Sequence, residues 1–153
     1  MGTSGAPLFK AALFNVASTL WAGETPTAYV TYGMPAFDVY SDVASFGVTT
    51  SESQPATLGP RRQREETLTQ EVILYCFRAG GQEQELIAMT RAYAMFAELE
   101  EYVRVTDTTL GGVVRECFLT AHGSDAATDQ DVLSTGRMHV LTATFTAHNR
   151  ITS

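Results

Sequence analysis

Lysine is almost missing from this chain. Lys10 is the only one in 153 residues, and ten cationic side chains stand against seventeen acidic ones, for a net charge of −7. Such a balance argues against a protein that grips nucleic acid through its phosphates, although it suits a wall along which DNA slides without sticking. Cysteine is scarce too. Cys76 and Cys117 each sit in an apolar, strand-like run, as small buried hydrophobes of a reducing compartment do. No run approaches the ~18 apolar residues that a membrane span requires. The N-terminus also lacks the charged segment and apolar core of a signal peptide. The chain is expected to be soluble, cytosolic where it is made, and without contact to a membrane.

Catalytic and ligand motifs are equally sparse. The glycine pairs Gly80-Gly81 and Gly111-Gly112 open no phosphate loop, and there is no G-x-S-x-G elbow or H-E-x-x-H helix. His139 and His148 lie nine residues apart on one expected strand, an odd spacing that sends them to opposite faces and away from a shared metal. His122 stands beside Gly123 and Ser124, where a turn with a solvated imidazole is expected. Asp125, Asp129 and Asp131 lack the glycine and closing glutamate of a calcium loop. No cofactor, no metal and no catalytic residue is expected, and hence no enzyme.

What the chain does have is pattern. At 153 residues one domain is expected, with 44% hydrophobic residues to fill its core. Residues 1–6 read as a short polar arm. Pro7 opens a helix with Phe9, Leu13, Val16 and Leu20 on one stripe, stopped by Gly23. Short strands follow over Ala28–Tyr32 and Asp42–Val48. Residues 49–64, rich in Ser, Thr, Pro and Gly, read as a long loop carrying Arg61, Arg62 and Arg64. Glu65–Arg78 is the longest strand candidate, apolar on both faces toward its end as if covered on two sides. A second helix spans Gln82–Arg104, with Leu86, Met89, Tyr93, Phe96 and Val103 on one stripe and Ala88, Ala92, Met95, Leu99 and Tyr102 widening it. Strands over Val113–Ala121 and Arg137–Arg150 flank a polar loop, His122–Thr135. The order αβββαββ predicts an α+β fold: a mainly antiparallel sheet of about five strands with two principal helices on one face.

The segment Val103-Arg104-Val105-Thr106-Asp107-Thr108-Thr109-Leu110-Gly111-Gly112-Val113 closes the second helix and turns straight into a strand. It holds no chemistry, only punctuation of a corner. Taken with Tyr32-Gly33-Met34-Pro35, Asp42 before Phe46-Gly47-Val48, Leu58-Gly59, Arg62, Glu65-Glu66 and Arg91-Ala92, it resembles the tail terminator (tail completion) proteins of long-tailed bacteriophages, from about Ala28 to Phe145. The resemblance implies a structural virion protein at the head-proximal end of the tail, assembled in the host cytoplasm. Six copies would form a ring that caps the tail tube, ends tail polymerisation and joins the tail to a head-tail connector or stopper protein. DNA would pass through its channel without specific binding. Two segments fall outside the resemblance: residues 49–64 and the acidic loop near Asp125. Their charges, Arg61, Arg62 and Arg64 against Asp125, Asp129 and Asp131, are candidates for contacts with adjacent chains. Two alternatives stay open. One is another neck or tail component, a head-tail stopper or a tail tube subunit. The other is a stand-alone ligand-binding or hydrolase-like domain using Cys76, Cys117 or His122, which would need a pocket and a base-activated thiol.

Overall fold

The computed structural model describes residues 4–24, 28–33, 41–55, 63–128 and 135–151. It is an α+β fold. Five strands, β1 (Tyr29–Tyr32), β2 (Asp42–Pro55), β3 (Arg64–Ala79), β4 (Glu116–Ala126) and β5 (Gly136–Ile151), form one sheet in the order β1-β2-β3-β5-β4. β1 runs parallel to β2 and every other pairing is antiparallel. Helices α1 (Ala6–Trp21) and α2 (Gln84–Glu101) pack on the same face.

Period-two alternation decides which face that is. Leu68, Gln70, Val72, Leu74 and Cys76 of β3 are buried, and their cross-strand neighbours on β5, Leu141, Ala143, Phe145 and Ala147, are buried with them. Phe9, Leu13, Ala17 and Trp21 of α1 and Ala88, Ala92, Met95 and Leu99 of α2 close over this surface. Each fully buried large side chain among them contributes about 1.5–3 kcal/mol. The alternate residues of β3, from Thr67 to Phe77, face the other way and stay half-buried, with no described helix over them. The expected cover on both sides of β3 is therefore present on one side only among the described residues.

Several expected boundaries move. Residues 49–64 are not one long loop, because β2 continues to Pro55 and β3 already begins at Arg64. Gly47 sits in a bulge between Phe46 and Thr49. Its carbonyl accepts from Lys10 Nζ at 2.8 Å and from Gln70 Nε2 at 3.3 Å, so the ladder re-phases and goes on. β4 starts later than expected, at Glu116, and runs on through His122 and Asp125 to Ala126. In α2 the buried stripe is the alanine one. Leu86 is 68% exposed and Ile87 49%, because Ala88 and Ala92 allow the helix axis close to the sheet.

The corner after α2 is built from backbone geometry. A single π-helical turn, Tyr102–Thr106, follows the α-helix and ends where the Asp107 N–H bonds the Tyr102 carbonyl at 2.9 Å. The Asp107 carboxylate then accepts from the Thr109 N–H and hydroxyl and, at 2.7 Å, from the Gly111 N–H. Leu110, Gly111 and Gly112 have φ of 51°, 72° and 87°, the left-handed region that glycine enters without penalty. Leu110 is the exception, and it is held there by burial in the core.

Candidate assembly surface

Two pieces of the resemblance meet inside the molecule. Asp42, at the start of β2, is fully buried. It accepts from Arg78 Nη1 at 2.7 Å and from Arg91 Nε at 2.9 Å. Arg91 reaches on to Glu24, after α1, at 2.6 Å. One carboxylate thus ties β2, β3, α2 and the end of α1 together. Burial, followed by the hydrogen bond and charge of Glu24, pushes the Glu98 carboxyl up to about 7.

A second carboxylate does the same at the other end of the sheet. Glu66 on β3, 2% exposed, accepts from Ser4 Oγ, the Gly5 N–H, Ser51 Oγ and Asn149 Nδ2. Burial alone would raise its pKa, but these hydrogen bonds outweigh it and hold the carboxyl below its ordinary value. Its charge also sits at the N-terminus of α1, whose first turn has no acidic residue of its own. The expected polar arm, residues 1–6, is therefore not free at Ser4 and Gly5. It is bound.

The face of the sheet away from the helices carries the surface chemistry. Glu65 bridges Arg115 at 3.1 Å and Arg150 at 3.0 Å. Beside it His148 Nδ1 lies 2.6 Å from Glu116, and its ring packs edge-on against Phe118, a 38% exposed aromatic. Glu65, Thr67, Arg115, Glu116 and His148 surround a shallow depression of about 380 Å³. Above these lie Thr69 and Thr146, then Glu71 and Thr144, then Ile73 and Thr142, and then Tyr75, Val140 and Asp125. Glu52, Glu65, Glu71, Glu116 and Asp125 outnumber Arg115 and Arg150 on this side.

Of the charges singled out in the sequence, Arg64 is exposed at the start of β3 opposite Ile151, and Asp125 is exposed on β4 opposite Val140. They lie at opposite ends of β5 and do not meet. Arg61, Arg62, Asp129 and Asp131 lie outside the described residues. His122 is not at a turn but within β4, its ring 4.9 Å from Phe96 and edge-on to Tyr93. His139 and His148 do take opposite faces. His139 is buried at 4% exposure with Nδ1 2.7 Å from Glu85, while His148 lies on the helix-free side. Cys76 and Cys117 are free and buried on β3 and β4, with β5 between them. Burial pushes the Cys117 thiol up to about 12, and burial together with Asp42 raises that of Cys76. Thiolates are the reactive species, so neither is poised for nucleophilic work. The Glu65–Arg115–Arg150 cluster escaped the sequence reading, for its members are 50 and 85 positions apart and only pairing joins them.

Among the described residues no three His, Cys, Asp or Glu side chains converge on a metal-sized space, and no helix is long and apolar enough to cross a membrane. No family model matches the chain and no curated protein matches it. Among solved structures, one described as the virion of a native gene transfer agent particle is similar to it. That likeness has a TM-score of 0.45 and 12% identity, and covers 94% of each chain.

Proposed function

We propose that this chain is a structural protein of a long-tailed phage virion, a tail terminator whose six copies close a ring on the tail tube. The reading takes in the end of tail polymerisation, the join to the head connector and an axial path for DNA, and it assigns no catalytic role. The observation that carries it is the convergence of the resembling pieces on structural nodes. Asp42 and Arg91, 49 residues apart, are in contact in the core; Glu66 clamps the start of α1; and Leu110-Gly111-Gly112 form the left-handed corner. A likeness resting on such nodes is one of architecture, the level at which the family is defined by the resemblance. The helix-free face, rich in hydroxyls and net acidic, is assigned to the channel wall, and Arg61, Arg62 and Arg64 to docking on an acidic surface of an adjacent chain.

The test is particle mass and symmetry with tail tubes present. Six copies of a 16.6 kDa chain add about 100 kDa at one end of the tube, and tubes assembled with the protein should stop at uniform length. An isolated protomer, or a two-fold dimer, on finished tails would refute the ring. Reversal of the three arginines to Glu should leave tails without heads or of irregular length; unchanged numbers of joined particles would remove the docking role.

A further inference from the structure

Four rungs run across the sheet without interruption: Glu52-Thr67-His148-Glu116, Ser51-Leu68-Ala147-Cys117, Thr50-Thr69-Thr146-Phe118 and Thr49-Gln70-Phe145-Leu119. Both ends of these rungs are open among the described residues. β1 covers only Val43–Phe46 of β2, so from Thr49 onward β2 has β3 on one side and no described strand on the other. β4 is the opposite edge strand and pairs with β5 alone.

Long edge strands with unpaired backbone groups invite pairing, and proteins usually block them with lysine, proline or inward charge. Apart from a bulge between Leu119 and Ala121 of β4, which bounds the open stretch there, neither edge is blocked in this way along its centre. Residues 48–54 carry one formal charge, Glu52, before Pro55, and residues 117–124 carry neither a formal charge at neutral histidine nor a proline. Direction matters as much as chemistry. β2 and β5 run one way, β3 and β4 the other, so the two edges of the sheet are antiparallel to each other. A second copy rotated about an axis roughly along the strands would lay its β2 against β4 and continue the antiparallel order. Because the open stretches lie on the same rungs, they also lie at the same height.

The geometry points to a head-to-tail β-sheet join between copies of this chain, in which residues 50–54 of one copy pair with residues 116–120 of the next. The join deepens the ring reading, on which the number of copies rests. An unstaggered join would set Glu52 against Glu116. Closure of a sheet requires stagger, and a two-residue shift sets Glu52 against Phe118 and Gln54 against Glu116. An even shift keeps each residue on its own face, so the helix-free face stays continuous from copy to copy. The incoming strand also roofs a groove of about 500 Å³ that lies between Glu100, Arg104 and Thr108 on one side and Arg115 with Glu116–Leu119 of β4 on the other. The contact is heterologous and closes by rotation.

Two full-length variants test it, each blocking one edge: Thr50→Lys with Glu52→Lys on β2, and Phe118→Lys with Thr120→Lys on β4. Circular dichroism confirms the fold of each; if loss of the Phe118 packing on His148 unfolds the second, Thr120→Lys alone replaces it. Mass is read by light scattering, alone and with tail tubes, wherever the wild type assembles. Each variant by itself should stay at 16.6 kDa, while their mixture should give a one-to-one dimer of about 33 kDa through the one remaining pair of open edges. Variants that form particles like the wild type overturn the join and leave the ring standing. Dimers of the β2 variant alone would show β4 pairing with β4 and overturn it as well. One-to-one dimers from the mixture, with open chains instead of six-membered rings from the wild type, support the join and overturn the ring. A wild type that stays monomeric with and without tubes overturns both.

Discussion

Asp42 is the residue on which the upper end of the molecule turns. It is fully buried, and its charge is compensated by two guanidinium groups, 16% and 19% exposed at their side chains. Replacing a buried pair wholesale can be neutral, but removing one partner leaves charge uncompensated, at about 3–5 kcal/mol. Asp42→Asn is therefore expected to lower urea-unfolding stability by that amount, with β-sheet content retained in the folded fraction. A loss under about 1 kcal/mol, the range of an exposed pair, would mean that water reaches the site. Glu66 gives the lower end a pH dependence of known sign. Its carboxyl titrates below the ordinary value of 4.5 when folded, so its contribution is complete above that value and disappears as pH falls through the folded pKa. Stability measured from pH 6 downward should fall more steeply for the wild type than for Glu66→Gln, and the two curves should converge in acid. Parallel curves would dissociate Glu66 from the acid transition.

At the scale of elements, the left-handed corner makes the sharpest prediction. A Cβ at Gly111 would meet nothing within 4 Å, so the cost of Gly111→Ala comes from its φ of 72° and not from crowding. That cost is about 1–2 kcal/mol. Gly136→Ala differs in kind, for its Cβ would fall 2.4 Å from the Phe77 ring and 2.6 Å from the Arg78 carbonyl. Thermal melts should rank Gly136→Ala below Gly111→Ala, and the reverse order would show that β5 has room to shift at its first residue. The same physics explains what could be read from the chain. β3 was legible because its buried face alternates strictly with the open one, and β5 because its alternation holds from His139 to Phe145. Residues 49–55 were not, since Thr-Thr-Ser-Glu-Ser-Gln-Pro is polar on both faces and becomes strand only because β3 offers it a partner. The phase of α2 was ambiguous for the opposite reason: two apolar stripes overlap, and close approach to the sheet selected the one with Ala88 and Ala92. Of the surface, Arg64 and Asp125 were visible as charges, but their separation to opposite ends of β5 was not. The ion pairs of Glu65 with Arg115 and Arg150 depend on register across three strands, which one sequence does not display.

For the molecule as a whole, the question is how a net charge of −7 is spent. The helix-free face carries Glu52, Glu65, Glu71, Glu116 and Asp125, and its two arginines are engaged by Glu65. Hydroxyls fill much of the end nearer Glu65, with Thr67, Thr69, Thr144 and Thr146, while Ile73, Tyr75, Phe77, Met138 and Val140 lie toward the other end. If this face lines the channel of a ring, six copies superimpose their fields on the axis, and the phosphate backbone meets repulsion on every side, with both described arginines of the face engaged by Glu65. The wall then gives passage without capture. The expected outcome is that the wild-type ring does not retain duplex DNA at physiological salt. Glu71→Lys combined with Asp125→Lys, both away from the open ends of the rungs, should create binding that weakens steeply with added salt, since each phosphate neutralised releases counterions. Fluorescence anisotropy with labelled duplex reads the first effect. The second is read in particles carrying the variant, which should assemble and then release their genome more slowly. Tight DNA binding by the wild type, or unchanged release from the double variant, would remove this face from the channel even if the ring itself stands.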